Sequence, residues 1–181
     1  MWMSKNKKQI SFRVLRPMFY ENRGFGLLEI LIAATILSAS LVTLSATSQI
    51  TFRLMKVSVE RTQAGFLAEE AIEVVRILRD SSWSSHVAPR VSGATHYLNF
   101  NTTTNTWTTQ TVATPLIYDI FTRTVVFQDV YRRNSDGEIV DQNSPDLKTL
   151  DPDTKKITAR VLWGAGHNII IETYITNIFQ N

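Results

Sequence analysis

The chain contains no cysteine and only three histidines among its 181 residues. The absence of cysteine excludes a disulfide framework, thiolate catalysis and every cysteine-based zinc site. His86, His96 and His167 are too scattered to form a local metal-binding motif, and we expect them at the surface or in turns. The sequence also lacks a G-x-S-x-G nucleophile elbow, a phosphate-binding glycine loop and an H-E-x-x-H motif. We therefore predict that the protein is not an enzyme and needs no cofactor.

Positive charge is concentrated at the N-terminus. Residues 1–24 contain six lysines and arginines and one acidic residue, Glu21, whereas the whole chain carries a formal net charge of +3. Residues 1–24 therefore carry +5 and the remaining chain carries −2. Because an acidic remainder is a poor match for a polyanion, we do not expect nucleic acid as a partner.

A long apolar segment follows, in which Glu29 is the only charged residue between Arg23 and Arg53. A membrane core of about 30 Å requires about 20 helical residues, and residues 25–44 supply them. The thirteen Leu, Ile, Val and Phe residues over 25–52 favour insertion by about 4 to 8 kcal/mol, against at most about 3 kcal/mol for one carboxylate. The cluster of Lys and Arg before the segment predicts one membrane span, with the N-terminus in the cytoplasm and the head outside.

Two ordinary interpretations of this segment leave Glu29 unexplained. A secretory signal peptide would be cleaved after the apolar run, at Ser-Ala-Ser over 38–40 or at Ser-Ala-Thr over 45–47. A plain signal anchor would keep the whole segment. An ionisable side chain near the start of an apolar helix indicates a function instead, because it must find a partner or be neutralised.

Residues 23–29, Arg-Gly-Phe-Gly-Leu-Leu-Glu, resemble the processing site of type IV pilins and type II secretion pseudopilins. In that family a basic leader ends in Gly, and Phe and then Glu open an apolar helix. The resemblance implies cleavage between Gly24 and Phe25 by a membrane-bound prepilin peptidase, followed by N-methylation of Phe25. It further implies a stay in the inner (cytoplasmic) membrane and then assembly into an extracellular or periplasmic filament, with other pilin-like subunits and the inner assembly platform as partners.

Glu29 and Phe25 have a physical role in this scheme. The new amine on Phe25 is largely cationic at neutral pH. Opposite charges about 4 Å apart at an effective dielectric constant of about 20 attract by about 4 kcal/mol, which is comparable with the cost of holding a carboxylate in an apolar setting. We therefore expect Glu29 to select the register in which it lies beside a neighbouring subunit's Phe25 amine.

The chain departs from the commonest family pattern in three ways. Its leader is long, Gly26 stands where Thr is frequent, and Ala46 stands where many major pilins carry a helix-breaking Pro. The last departure predicts a helix that need not melt on assembly. It favours a minor pilin or pseudopilin over the principal subunit.

The helix is expected to continue past the membrane, because no proline lies between Arg53 and Asp80 and the single Gly65 costs only about 1 kcal/mol. Apolar residues at helical spacing predict one buried stripe. The stripe comprises Leu54, Val57, Ala64, Ala68, Ala71, Val75 and Leu78. The charged residues off the stripe predict a solvated face or, alternatively, a contact rim between packed subunits. They are Glu69, Glu70, Glu73, Arg76 and Arg79.

Residues 81–181 are expected to form a β-rich head. Residues 120–132 predict a strand, whose alternation puts four side chains on one parity: Phe121, Val125, Phe127 and Tyr131. Residues 155–163 alternate more cleanly, with one apolar face: Ile157, Ala159, Val161 and Trp163. A turn over 164–167 connects this strand to a β-branched strand over 168–179, and we predict a hairpin.

Polar segments separate these strands. Residues 134–137 predict a turn, residues 143–153 a loop, and the Thr-rich residues 101–114 an exposed loop or edge strand. The Asn-Thr-Thr sequence over 101–103 fits the N-glycosylation spacing, which is common by chance in such a composition. The tryptophans of the head are expected as core or loop anchors: Trp83, Trp107 and Trp163.

A long helix followed by antiparallel strands predicts an α+β fold, in which the N-terminal helix packs on a small antiparallel sheet. We divide the chain into a basic cytoplasmic leader over 1–24, a transmembrane or filament-core helix over 25–52, an amphipathic head helix over 53–80 and the head over 81–181. Cleavage removes the leader in this scheme.

Two weaker site hypotheses concern the head. Asp151 and Asp153, with Asp146 nearby, would offer oxygen ligands to Ca²⁺, although a full ligand set is not visible and a solvated turn is the alternative. Arg132 and Arg133 beside exposed aromatic rings would bind single-stranded DNA. A membrane-tethered binding module, either an adhesin or a DNA-uptake receptor, is therefore the alternative to a structural subunit.

Overall fold

The computed structural model describes residues 26–179 and confirms the α+β fold, with a long N-terminal helix and a small antiparallel sheet. The chain divides into two compact units between Ile50 and Thr51. The described part of the first unit is helical from Leu27 onward. The second unit contains the remainder of that helix and all the strands.

Helix α1 spans Leu27–Ser81. It contains no proline, and its single glycine, Gly65, is accommodated without a break. The predicted end of the helix is confirmed, because Ser82 adopts an extended conformation there. Its hydroxyl accepts a hydrogen bond from the Ser85 backbone N–H at 3.3 Å and so caps the short helix α2, Trp83–His86.

The sheet consists of antiparallel strands in the order β2-β1-β3-β5-β6, with β4 paired to β3 beside this path. The strands are β1 (Thr95–Asn101), β2 (Thr106–Gln110), β3 (Phe121–Arg133), β4 (Ile139–Val140), β5 (Lys148–Trp163) and β6 (His167–Thr176). The predicted hairpin between the last two strands is confirmed. Gly164 and Gly166 form its turn with φ of 53° and 93°, conformations that favour glycine.

One face of the sheet packs on the second half of α1. The inward side chains of β5 are buried as predicted, from Ile157 to Trp163, and so are Phe121, Val125 and Phe127 of β3. The helix contributes small and medium side chains to the same core, beginning at Ala64. Within the second unit, no described residue over 51–63 is buried, so Leu54 and Val57 are exposed and their predicted place in the buried stripe is wrong.

The pairing of β3 with β5 is irregular between Asp129 and Val130, because residues 152–154 of β5 have no partner on β3. Val130 is buried beyond this register shift, whereas Tyr131 is only half-buried. The prediction that Tyr131 follows the same alternation as Phe127 is therefore wrong. Simple alternation cannot anticipate extra residues in the partner strand.

Two further expectations are corrected. Residues 148–153 belong to strand β5 and are not part of a loop, because residues 148–151 pair with the end of β3. His96 is neither at the surface nor in a turn: it lies in β1, a strand that the sequence did not predict, and only 4% of it is exposed. The Thr-rich segment, in contrast, forms the edge strand β2, as expected.

Candidate functional site

Glu29 lies in the first turn of α1, with its side chain exposed. Its backbone N–H donates to the Gly26 carbonyl at 2.9 Å, and the N–H of Ile30 donates to the same carbonyl at 3.2 Å. The partial positive charge of the helix N-terminus favours a carboxylate in this turn. Within residues 26–179, no ion pair involves Glu29. A cation from outside this range would therefore find the carboxylate accessible.

The predicted cleavage and methylation residues, Gly24 and Phe25, lie outside the described residues. Glu29 is thus the one residue of the predicted cleavage and assembly site whose position is described. The cleavage, the methylation and the pairing of Glu29 with Phe25 stay predictions.

The first unit presents a continuous apolar helix surface. The most apolar 18-residue stretch of the helix is not buried at all by the described residues. Leu27, Leu28 and Leu41 are between 67% and 82% exposed. Helix α1 is long and apolar enough to cross a membrane, which is compatible with a single-pass membrane protein.

Six of the seven serine and threonine side chains over 27–50 are hydrogen-bonded within the helix. Each donates to a backbone carbonyl three or four residues earlier in the helix, at 2.7–2.9 Å. The residues are Thr35, Ser38, Ser40, Thr43, Thr47 and Ser48. Such internal bonds lower the cost of placing a hydroxyl in an apolar environment. Sequence reasoning missed this arrangement, although the i, i+4 spacing to a helix carbonyl was available as a signal.

The helix segment that opens the second unit, over 51–63, also exposes large apolar side chains, here mixed with charged ones. Phe52, Met55 and Val59 are between 54% and 69% exposed. Charged residues alternate with them, and Lys56 lies 3.8 Å from Glu60 in an exposed ion pair. No side chain among residues 51–63 is buried by the described part of this unit.

The predicted calcium ligands are engaged by protein groups. Asp151 Oδ2 accepts from Arg132 Nε at 2.6 Å, and Asp153 Oδ1 accepts from Asn177 Nδ2 at 3.2 Å. Burial would raise the pKa of the Asp151 carboxyl, but hydrogen bonds from Arg132 and the Asp153 backbone N–H hold it below its ordinary value. Across residues 26–179 there is no group of three or more His, Asp or Glu side chains placed to hold a metal ion.

The two arginines proposed for single-stranded DNA are also engaged. Arg132 pairs with Asp151, and Arg133 lies within 3.0–3.7 Å of three carboxylates. Those carboxylates belong to Asp136, Glu138 and Asp146. Because acidic partners neutralise both guanidinium groups, the arginines do not form an unpaired cationic patch, and the DNA hypothesis gains no support.

A buried arginine connects helix and sheet within the second unit. Arg123 of β3 donates to the Glu70 carboxylate of α1 and lies over the Trp107 ring, 5.4 Å from its centroid. Its side chain is 6% exposed. Sequence reasoning missed this contact, although Arg123 has the same parity as the core residues Phe121 and Val125.

His96 is the second buried ionisable group that sequence reasoning misplaced. Its ring meets the Phe127 ring edge-on, with centroids 5.4 Å apart. Neither ring nitrogen has a hydrogen-bond partner within the described residues. Burial, with the nearby Arg90 charge as a smaller cause, lowers the pKa of His96 from its ordinary value of 6.5.

The described part of the candidate site therefore offers one accessible carboxylate on an exposed apolar helix. That arrangement can form an ion pair with a cation and pack against lipid or apolar protein surfaces. Comparison of the chain with protein-family models, curated protein sequences and solved structures gave no match.

Proposed function

We propose that the protein is a prepilin-like structural subunit, cleaved after Gly24 and assembled through its N-terminal helix into a type IV pilus or a type II secretion pseudopilus. The observation that carries the proposal is the unpartnered apolar surface of α1, which is longer than a membrane can cover. Glu29 at the start of that surface supplies the charge for docking, and the protein performs no catalysis of its own.

The length of the apolar surface favours assembly over a plain anchor. From Leu27 to Ile50 the helix measures about 36 Å at about 1.5 Å per residue, against a hydrocarbon core of about 30 Å. Phe52, Met55 and Val59 therefore fall beyond the lipid, yet each is exposed by more than half. Burying a large apolar side chain stabilises by about 1.5–3 kcal/mol, so packing against other copies of this helix is favourable.

The local features of the helix support the same proposal. The Glu29 carboxylate is accessible and has no ion pair within residues 26–179, as the proposed contact with a neighbour's Phe25 amine requires. Helix α1 is unbroken at Ala46, in accord with a subunit that docks without melting, and hence with a minor pilin or pseudopilin.

The proposal implies a sequence of locations and partners. The chain is inserted once in the inner membrane with its basic leader in the cytoplasm and its head outside. Prepilin peptidase removes the leader, and the assembly platform then transfers the helix from lipid into an extracellular or periplasmic filament. Loss of the +5 leader removes the charge that holds the N-terminus at the cytoplasmic surface.

Mass spectrometry of the protein isolated from its native host tests the maturation step. We expect an N-terminal peptide that begins at methylated Phe25. A peptide that begins at Met1 would contradict the proposal and support a retained anchor. One that begins near residue 40 or 47 would support an ordinary signal peptide.

Replacement of the charged group tests the assembly step. Glu29→Ala is expected to leave cleavage intact and to reduce incorporation into filaments, because the neighbour's amine loses its partner. Glu138→Ala, which removes an exposed carboxylate of the head, is the control and should incorporate normally. Equal filament recovery from the two variants would contradict the pairing.

A membrane-tethered binding module is the second candidate, and one observation favours it. The head carries a polar cleft on the face of the sheet that points away from α1. A subunit with a binding head would combine the two functions.

A further inference from the structure

We infer that the head binds a neutral saccharide in the polar cleft of its outer sheet face. The cleft has a volume of about 490 Å³, which lies within the range of about 300–1,000 Å³ typical of small-molecule sites. Its floor is a row of three side chains from adjacent strands, since Gln128 lies opposite Lys156 and Lys156 opposite Tyr174 in the strand registers. Strand β4 and the segment over 141–143 form its wall.

The cleft lies beside the register shift between β3 and β5, and Asp129 and Val130 at that shift line it. Gln128 precedes the shift and has the parity opposite to Phe127, so its side chain leaves the core face. The backbone N–H of Asp129 donates to Ser92 Oγ at 2.9 Å, and the N–H of Gly93 donates to the Phe127 carbonyl at 2.8 Å. These bonds fix the segment before β1 at one end of the cleft, so the site is built by tertiary contacts of several elements.

The lining combines hydrogen-bonding groups of both kinds with one aromatic ring. The amides of Gln128, Gln142 and Asn143 each offer donors and an acceptor. Asp141 Oδ1 accepts from the Asn143 backbone N–H at 2.8 Å, which orients the carboxylate. The Tyr174 side chain, with half of the residue exposed, adds an apolar ring face. A saccharide offers hydroxyls that both donate and accept, together with apolar C–H faces that pack on such a ring.

The charges and the polar lining of the cleft disfavour phosphate, nucleic acid, Ca²⁺ and lipid as ligands. Lys156 pairs with Glu172 at 2.9 Å, and Lys155 pairs with Asp129. Asp141 then remains as a carboxylate with no ion pair among residues 26–179. The local balance is therefore slightly negative, which disfavours phosphate and nucleic acid. One free carboxylate is too few for Ca²⁺, which takes about 6–8 oxygen ligands, and a largely polar lining disfavours lipid.

Ligand-observed NMR with the full chain tests the inference. The chain is held in a detergent without a sugar headgroup, and the probes are glucose, galactose, N-acetylglucosamine and lactose. We expect saturable binding of at least one probe. Tyr174→Ala and Gln142→Ala should each weaken that binding by about tenfold, which corresponds to a loss of about 1.4 kcal/mol.

The matched control is Tyr118→Ala, because Tyr118 is 74% exposed and lies outside the cleft; its binding should equal that of the unaltered chain. If Tyr174→Ala fails to fold, Gln142→Ala decides, since Gln142 lies on an exposed segment. The inference is overturned if no probe binds, if neither cleft variant weakens binding, or if inorganic phosphate displaces the sugar. A chain that binds no sugar yet is cleaved and incorporated would leave the proposed subunit role intact.

Discussion

Up to Gln63, helix α1 exposes its apolar side chains, and from Ala64 onward it buries most of them under the sheet, with Phe66 and Ile77 as exposed exceptions. The exposed part carries large residues, among them Leu28 and Phe52. The buried part approaches the sheet through small ones, including Ala68 and Ala71, which are fully inaccessible. Apolar character alone therefore does not decide burial. A helix residue is buried only where another element of the chain packs against it. The exposed part requires a partner from outside the chain.

The largest expected difference between the two regions comes from removing one ring in each. Phe127→Ala should lower the free energy of unfolding by about 3–5 kcal/mol, because the ring is fully buried and its loss leaves a cavity. Phe52→Ala, at a residue 69% exposed, should change it by no more than about 0.5 kcal/mol. Urea unfolding of the full chain, followed by fluorescence of the buried Trp83 and Trp163, measures both. Equal losses of unfolding free energy in the two variants would contradict the difference between the buried and the exposed part of α1.

The two kinds of ion pair on the second half of α1 should differ next. Arg123→Ala should destabilise by about 1.5–3 kcal/mol, because it removes a buried, charge-assisted hydrogen bond to Glu70. Arg76→Ala breaks the exposed Glu73–Arg76 pair, with an N–O distance of 2.5 Å, and should cost no more than about 0.5 kcal/mol. The same unfolding measurement applies. A loss for Arg123→Ala as small as that for Arg76→Ala would show that the buried contact contributes little.

Replacement of one alanine by leucine in the buried part and one in the exposed part of the helix tests the same difference in packing. Ala68→Leu should destabilise the head by about 1–3 kcal/mol, because the extra atoms meet a packed sheet. Ala46→Leu places the same atoms at an exposed helix position and should leave the unfolding midpoint unchanged. Thermal unfolding by circular dichroism tests the pair. Tolerance of Leu at 68 would mean that helix and sheet pack loosely.

The smallest expected effect is a pH dependence confined to the buried region. The pKa of His96 is lowered by its burial, so the unfolded chain takes up a proton below about pH 6.5 while the folded chain does so only at lower pH. Stability should therefore fall as the pH decreases from about 7.5 to about 5.5. His96→Phe, which keeps an aromatic ring against Phe127, should flatten that slope. An unchanged slope in the variant would assign it to another group.

Much of this architecture could be predicted from local patterns. The length of α1 follows from the lack of proline, and the β5–β6 hairpin follows from clean alternation around a turn with two glycines. Strand β1 was missed because its alternation is short, with Leu98 and Phe100 as the only Leu, Ile, Val or Phe residues over 95–101. It forms because β2 and β3 pair with it on either side, which is tertiary information.

The candidate site was predictable only in part, for the same reason. Glu29 stands out because it is a lone charge in an apolar run, whereas the register shift beside Asp129 and the cleft next to it arise from strand pairing. Asp151 looked like a loop ligand because the extension of β5 to Lys148 depends on pairing with the end of β3. Charge and spacing in the sequence identify a candidate site residue, whereas the groups around it depend on which strands pair beside it in the fold.

The hydroxyl groups of the first unit have one more consequence. A serine or threonine whose hydroxyl donates to a carbonyl of its own helix presents mainly carbon atoms to neighbouring groups. Hydrocarbon tails and apolar protein surfaces are therefore nearly equivalent surroundings for it. A helix of this kind can move between lipid and an apolar protein surface without exposing those hydroxyl groups to water. The main free-energy cost of such a transfer then falls on the ionisable group of the segment, Glu29.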